Sequence, residues 1–328
     1  MALRADVPAA CPGLPGQFFR GANLPWVRYG GDFGANIWSP AGGVATRGIP
    51  DHIRETLTRL RDVGVHWLRW FVLCDGRAGI RFDAHGLPLG LDAHVRHDLD
   101  AALAYVDALD LVIVPVLFDF HWFARRRIVQ GVQTGGRRAA IARAARRRAL
   151  LDRVVSPLAA HVAGHRAVGA WDLINEPEWA TFGLGSWNPF TTIRRSVMRR
   201  FITEAAAVVR AHSRSPVTVG LAQARGLDLV AGLGLDFYQV HWYDTHSDDR
   251  PLDRPVEALA LDRPVVLGEF PTRGSRRSPE AIVDAARAAG YAGSWFWSVQ
   301  AGDAATDCAA ALTAMTCAAS ATPRSPEG

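Results

Sequence analysis

Eight short, almost wholly apolar runs recur along this chain, each followed by a segment of helical periodicity, and few architectures accept that order. The runs fall at 19–25, 66–73, 111–118, 168–175, 217–222, 236–243, 264–270 and 291–298. Most are continuously hydrophobic rather than alternating, as parallel strands buried on both faces must be. The segments between them carry helix signals. In 97–109, Leu99, Leu103 and Val106 stand at i, i+4 and i+7, one buried stripe. Ser278 suits an N-cap, Pro279 the first turn after it, and Gly290 a C-terminal stop; the helix around 56–63 likewise ends at Gly64. Eight such βα units close most naturally into a single (β/α)8 barrel of the α/β class. A doubly wound open sheet is the runner-up, but the Gly-rich phosphate turn it commonly carries is missing. Residues 1–319 therefore read as one barrel domain and 320–328, small, polar and proline-containing, as a disordered tail.

Composition adds limits. A hydrophobic share of 49% beside 21% charge suits a soluble globular protein, and no run approaches the roughly 18 apolar residues that suggest a bilayer span. The start lacks a secretory apolar region, because Arg4, Asp6 and prolines interrupt it. A cytoplasmic protein or a processed secreted form is expected, as a monomer with no membrane partner. All 37 basic side chains are arginine, which together with abundant Ala and Gly reads as compositional bias rather than a nucleic-acid signature. Cys11, Cys74, Cys308 and Cys317 show no metal-type spacing and are taken as free thiols.

In a (β/α)8 barrel, chemistry gathers where strands end and βα loops begin. The fourth run ends in Asn175-Glu176-Pro177 and the seventh in Gly268-Glu269-Phe270, with 93 residues between the glutamates, the length of three βα units. Cleavage of a glycosidic bond needs such a pair: a carboxylic acid to protonate the leaving oxygen and a carboxylate facing the anomeric carbon. Arg69, in an otherwise apolar second strand, must find an anionic partner or be costly to bury; orienting Glu269 and keeping it ionised is one use for it. His241 and Tyr243 share one face at the end of the sixth run. Tyr243 is placed to donate to the nucleophile and His241 to support the acid. His121 follows the third strand, a candidate for sugar hydroxyls or for supporting Glu176. Trp297 ends the eighth as a floor for a sugar ring. Trp26, Trp38, Trp122, Trp179 and Trp242 also stand near predicted strand ends or loops.

Together these residues resemble the large clan of glycoside hydrolases, clan A, whose acid/base follows strand four and whose nucleophile ends strand seven. Within it the chain is most similar to the family 5 cellulase and mannanase type, through Arg69, His121, Asn175-Glu176, His241-x-Tyr243, Glu269 and Trp297, over roughly 19–298. The resemblance implies a retaining hydrolase of β-linked oligo- or polysaccharides. Glu176 would be its acid/base, Glu269 its nucleophile and Asn175 a partner of the sugar 2-hydroxyl. No cofactor and no metal are expected. Ionised Glu269 would hold neighbouring Glu176 protonated.

Three other readings stand beside this one. The first is a non-catalytic carbohydrate-binding barrel, or a barrel repurposed for another chemistry; binding alone would not need both glutamates. A metal-dependent hydrolase using His241, Asp244 and His246 lacks the His-x-His pair such sites take from strand one. Nucleic-acid binding through the arginines of 125–148 competes with a solvated third-helix face, or with contacts from Arg125, Arg126 and Arg127 to an acidic sugar at the cleft rim.

Overall fold

The structure, a computed structural model, describes residues 18–244, 252 and 254–320; the tail beyond Ser320 and His246 lie outside them. All eight expected runs form strands of one parallel sheet. They are β1 (Phe19–Asn23), β2 (Trp67–Phe71), β3 (Val112–Val116), β4 (Trp171–Asp172), β5 in two pieces (Val217–Thr218 and Gly220–Leu221), β6 (Tyr238–His241), β7 (Val265–Glu269) and β8 (Gly293–Trp297). The circle closes through β5 itself. Its first piece pairs with β4 and its second with β6, only Val219 lying between, while β8 pairs with β1. The chain is a single (β/α)8 barrel.

Helices pack outside on their apolar stripes. Leu99, Leu103 and Val106 are buried on Val95–Ala108, as are Ile53, Leu57 and Leu60 on Asp51–Asp62, each full burial contributing roughly 1.5–3 kcal/mol. The Ser278 hydroxyl accepts the Ala281 N–H with Pro279 behind it, and Gly64 and Gly290 lie at positive φ just past their helices. Among the described residues of the sixth unit a 3-10 turn at Val256–Leu259 stands where a helix was expected. Pro251, Pro255 and Pro264 fall in that stretch, each removing a helix donor and biasing its predecessor away from helical angles. Two β-hairpins, Ile80–Phe82 with Pro88–Leu91 and Arg127–Val129 with Val132–Thr134, were not anticipated.

Inside the barrel, alternation sets the depth of each side chain. On β2, Trp67 joins a lower plug with Phe19, Phe237 and Trp295, Arg69 is fully buried above it, and Phe71 reaches the cleft. Trp67 and Trp295 stack at 5.9 Å. Gly21 makes room, because a Cβ there would come within 2.2 Å of the Trp295 indole. The site thus rests on a packed aromatic floor.

The arginine-rich segment divides. Arg125, Arg126 and Arg127 are exposed on the second hairpin and its approach, but Arg147 is buried against Glu204 at 2.6 Å and Arg138 donates to the Thr192 carbonyl. The expected solvated face is therefore partly structural. No helix among the described residues is long and apolar enough to cross a membrane.

Candidate active site

At the C-terminal mouth of the barrel lies a cleft of 480 Å³ into which both glutamates project. Arg69 organises its base. Its Nη1 donates to Glu269 Oε1 at 2.6 Å and to Asn23 Oδ1 at 3.1 Å, its Nη2 to Asn175 Oδ1 at 2.7 Å, and its Nε to Asp172 Oδ2 at 2.9 Å. One guanidinium therefore ties β1, β4, the loop after β4 and β7 to β2. Gly220 permits it, since a Cβ there would stand 2.6 Å from Arg69 Nη2 and 2.9 Å from His241 Nε2. Burying such a cation is tolerable because every polar face of it meets an oxygen.

The second oxygen of Glu269 accepts the Tyr243 hydroxyl at 2.9 Å. Burial pushes the Glu269 carboxyl above the usual carboxylate range, and the Arg69 guanidinium and the Tyr243 hydrogen bond pull against that shift. Glu176 is set differently. It occupies the left-handed region (φ 47°, ψ 52°) ahead of Pro177, which opens a 3-10 turn; for a residue with a Cβ this conformation costs on the order of 1–3 kcal/mol. The twist turns the carboxyl over the cleft and lets Trp179, three residues on, donate to Oε2 at 3.0 Å. His241 Nδ1 lies 2.9 Å from Oε1. Burial, then the Asp119 charge, raise the Glu176 carboxyl to about 7. The repulsion between Glu176 and Glu269 adds to the effect of burial on the pair. Only Glu269 touches a permanent cation, so the pair's proton resides on Glu176.

His241 is wholly buried, and burial lowers it to about 4, so the ring is neutral. Its Nε2 has no hydrogen-bond partner among the described residues. A proton there would be an orphaned donor, which places the ring proton on Nδ1, aimed at Glu176. One oxygen each from Glu176 and Glu269 and a ring nitrogen of His241 lie within 4.8 Å of one another. That spacing would also admit a cation, but the guanidinium against Glu269 opposes a second positive charge there.

The remaining expected residues divide as well. Asn175 lines the cleft and donates to Asp119 Oδ2 at 2.8 Å. His121, half exposed, bonds Asp119 through Nδ1 and stacks on Phe120, with no bond to Glu176. Burial works against the charged form of His121, but the bond and charge of Asp119 outweigh it and raise its pKa. Trp297 lines the cleft and is held through Nε1 by Asp303 at 2.7 Å. Of the other tryptophans, Trp26 and Trp179 line the cleft, while Trp122 and Trp242 belong to the core. Asn23, Asp172 and Gly220 escaped sequence reasoning. The one local signal for Asp172 was a charge inside an apolar strand, which like Arg69 required a partner.

No family model matches the chain. A curated relative does, the mannan endo-1,4-β-mannosidase of the mussel Mytilus edulis, 27% identical over 322 residues that span 86% of this chain and 83% of that one. The endo-1,4-β-mannanase structure from Eisenia fetida superposes with a TM-score of 0.75 at 26% identity, covering 92% of this chain and 91% of that one. This chain is a glycosidase similar to the family 5 type of clan A. The β-mannanase structure from Mytilus edulis shares the fold of this glycosidase across 93% of this chain and 92% of its own, with a TM-score of 0.76 and 23% identity.

Proposed function

We propose that this glycosidase is a retaining β-1,4-mannanase that works by double displacement, with Glu269 as nucleophile and Glu176 as acid/base. The observation that carries the reading is the asymmetric pair, whose oxygens approach within 4.8 Å while only Glu269 contacts Arg69. Retaining enzymes hold their carboxyl groups about 5–5.5 Å apart, leaving no room for water to attack first. Glu269, ionised, attacks the anomeric carbon as the glycosidic bond breaks. Glu176, protonated, delivers its proton to the leaving oxygen. Once Glu269 is esterified, its charge is gone, and Glu176 takes a proton from the water that releases the sugar. Asn175 keeps one amide hydrogen beyond its bond to Asp119, supporting a contact to the 2-hydroxyl, and the Trp297 ring supplies a floor.

The test is digestion of β-mannan, β-glucan and xylan with the product anomers followed by NMR. Mannan cleavage with the β-anomer appearing first is expected. First appearance of the α-anomer would overturn double displacement, and cleavage of glucan alone would overturn the substrate.

Tyr243→Phe gives a narrower check. It removes a donor to a buried carboxylate, a bond of about 1.5–3 kcal/mol, so kcat should fall roughly 10- to 100-fold. Because that donor favours the ionised form, its loss raises Glu269 further, and the acid limb of the pH–rate profile should move to higher pH. An unmoved limb would separate Tyr243 from the nucleophile.

A further inference from the structure

Three aromatic side chains on the loop after β4 are turned to solvent. Phe182 is 44% exposed, Trp187 74% and Phe190 86%, the last two above every other large hydrophobic side chain among the described residues. A soluble protein seldom leaves a tryptophan so bare without a use for it.

The loop that carries them is built, not loose. Phe182 N–H donates to the Ile193 carbonyl at 2.9 Å and Gly183 N–H to Ser186 at 2.9 Å, closing both ends. Phe190 N–H is held by Asn188 Oδ1 at 2.9 Å, and Thr192 Oγ1 donates to the Asn188 carbonyl at 2.7 Å. The Trp187 ring packs edge-on against Phe182 at 5.4 Å. Several of its backbone groups are bonded, yet its apolar faces are not covered.

Its position says what covers them. Gly185 seats the loop directly on Trp179, for a Cβ at 185 would lie 2.7 Å from that indole. Trp179 in turn lines the cleft and donates to Glu176. A group that protonates the leaving oxygen sits beside the departing half of the substrate, so the surface beyond Trp179 is the aglycone side. Aromatic faces match the C–H faces of pyranose rings, and rings fixed beforehand bind at a smaller entropic cost.

We infer that Trp187 and Phe190 form an outer aglycone subsite, stacking sugar units of the β-linked polysaccharide beyond the bond that is cut. The inference rests on the proposed assignment of Glu176 as acid. It makes the enzyme's efficiency depend on chain length on the leaving side.

The experiment compares Trp187→Ala/Phe190→Ala with the unaltered protein on long manno-oligosaccharides and on an aryl β-mannobioside, whose leaving group ends before the platform. Expected is a fall in kcat/KM of about tenfold or more on the long substrates, mostly in KM, with the aryl glycoside changed less than about twofold, and partial recovery in Trp187→Phe/Phe190→Tyr. Equal losses on both substrates would mark a structural role and overturn the inference, as would no loss on either. A change from dimer to monomer on size exclusion with unchanged kinetics would assign the patch to a second copy instead. Failure of the unaltered protein on every β-mannan would count against the proposed substrate, whereas an active protein indifferent to the double substitution would count against the platform alone.

Discussion

Glycine in place of Glu269 is expected to lower turnover by about five orders of magnitude, the scale on which loss of an attacking group is felt. Azide should then restore part of the rate. The cavity left at the end of β7 opens on the face from which Glu269 would attack, so azide reaching the anomeric carbon there gives a glycosyl azide of inverted configuration. The carboxylate now contacts Arg69, Tyr243 and, at 3.5 Å, His241. Removing it leaves a buried guanidinium still paired with Asp172, and the barrel should remain folded by circular dichroism. A retained azide product, or a variant within a factor of ten of the parent, would remove Glu269 from the nucleophile's role.

Loss of Glu176 should be felt according to the leaving group. With alanine there, cleavage of mannan is expected to slow by about 10³- to 10⁴-fold, the upper range for a positioned proton donor. An aryl glycoside with a strongly acidic phenol needs no donor and should lose far less in its first step, then accumulate as the glycosyl-enzyme because the base for the second step is gone. Azide would relieve that block and yield a product of retained configuration. The pH dependence follows with a definite sign. Glu176 must carry its proton to act first, and burial with Asp119 places it at about 7, so kcat/KM of the parent should fall as pH rises through that value. His241, lowered to about 4, does not titrate in this range. The alkaline limb should vanish in Glu176→Ala with the activated substrate. If it persists unchanged, another group sets it.

How much of this could be read beforehand depends on whether the cause was local. The eight strands were legible because burial on both faces writes a continuous apolar run, and Glu176 and Glu269 because each interrupts such a run at its end. Tyr243 and His241 followed from strand alternation alone. The partners of Arg69 were not legible. Asn23 and Asp172 meet it only through the stagger of β1, β2 and β4, a property of closure that no single segment carries. Gly220 looks like an ordinary strand glycine until Arg69 and His241 are seen to fill the space a side chain would take. Trp179 stands among the tryptophans near strand ends, but its bond to Glu176 comes from the left-handed turn at that residue, and a Glu-Pro dipeptide does not announce it. The 3-10 turn at Val256–Leu259 follows from Pro255, a local signal that the general alternation of strand and helix does not include.

Arg69 reaches oxygens on β1, β4, the loop beyond β4 and β7. A chain emerging from synthesis meets these in order, and its first four strands already supply all but one. Until the seventh strand docks, the guanidinium lacks its last anion and the cleft lacks the carboxylate proposed to attack, so a partly assembled molecule is expected to be inert toward sugars. Hydrolytic competence and completion of the sheet should therefore appear together during refolding.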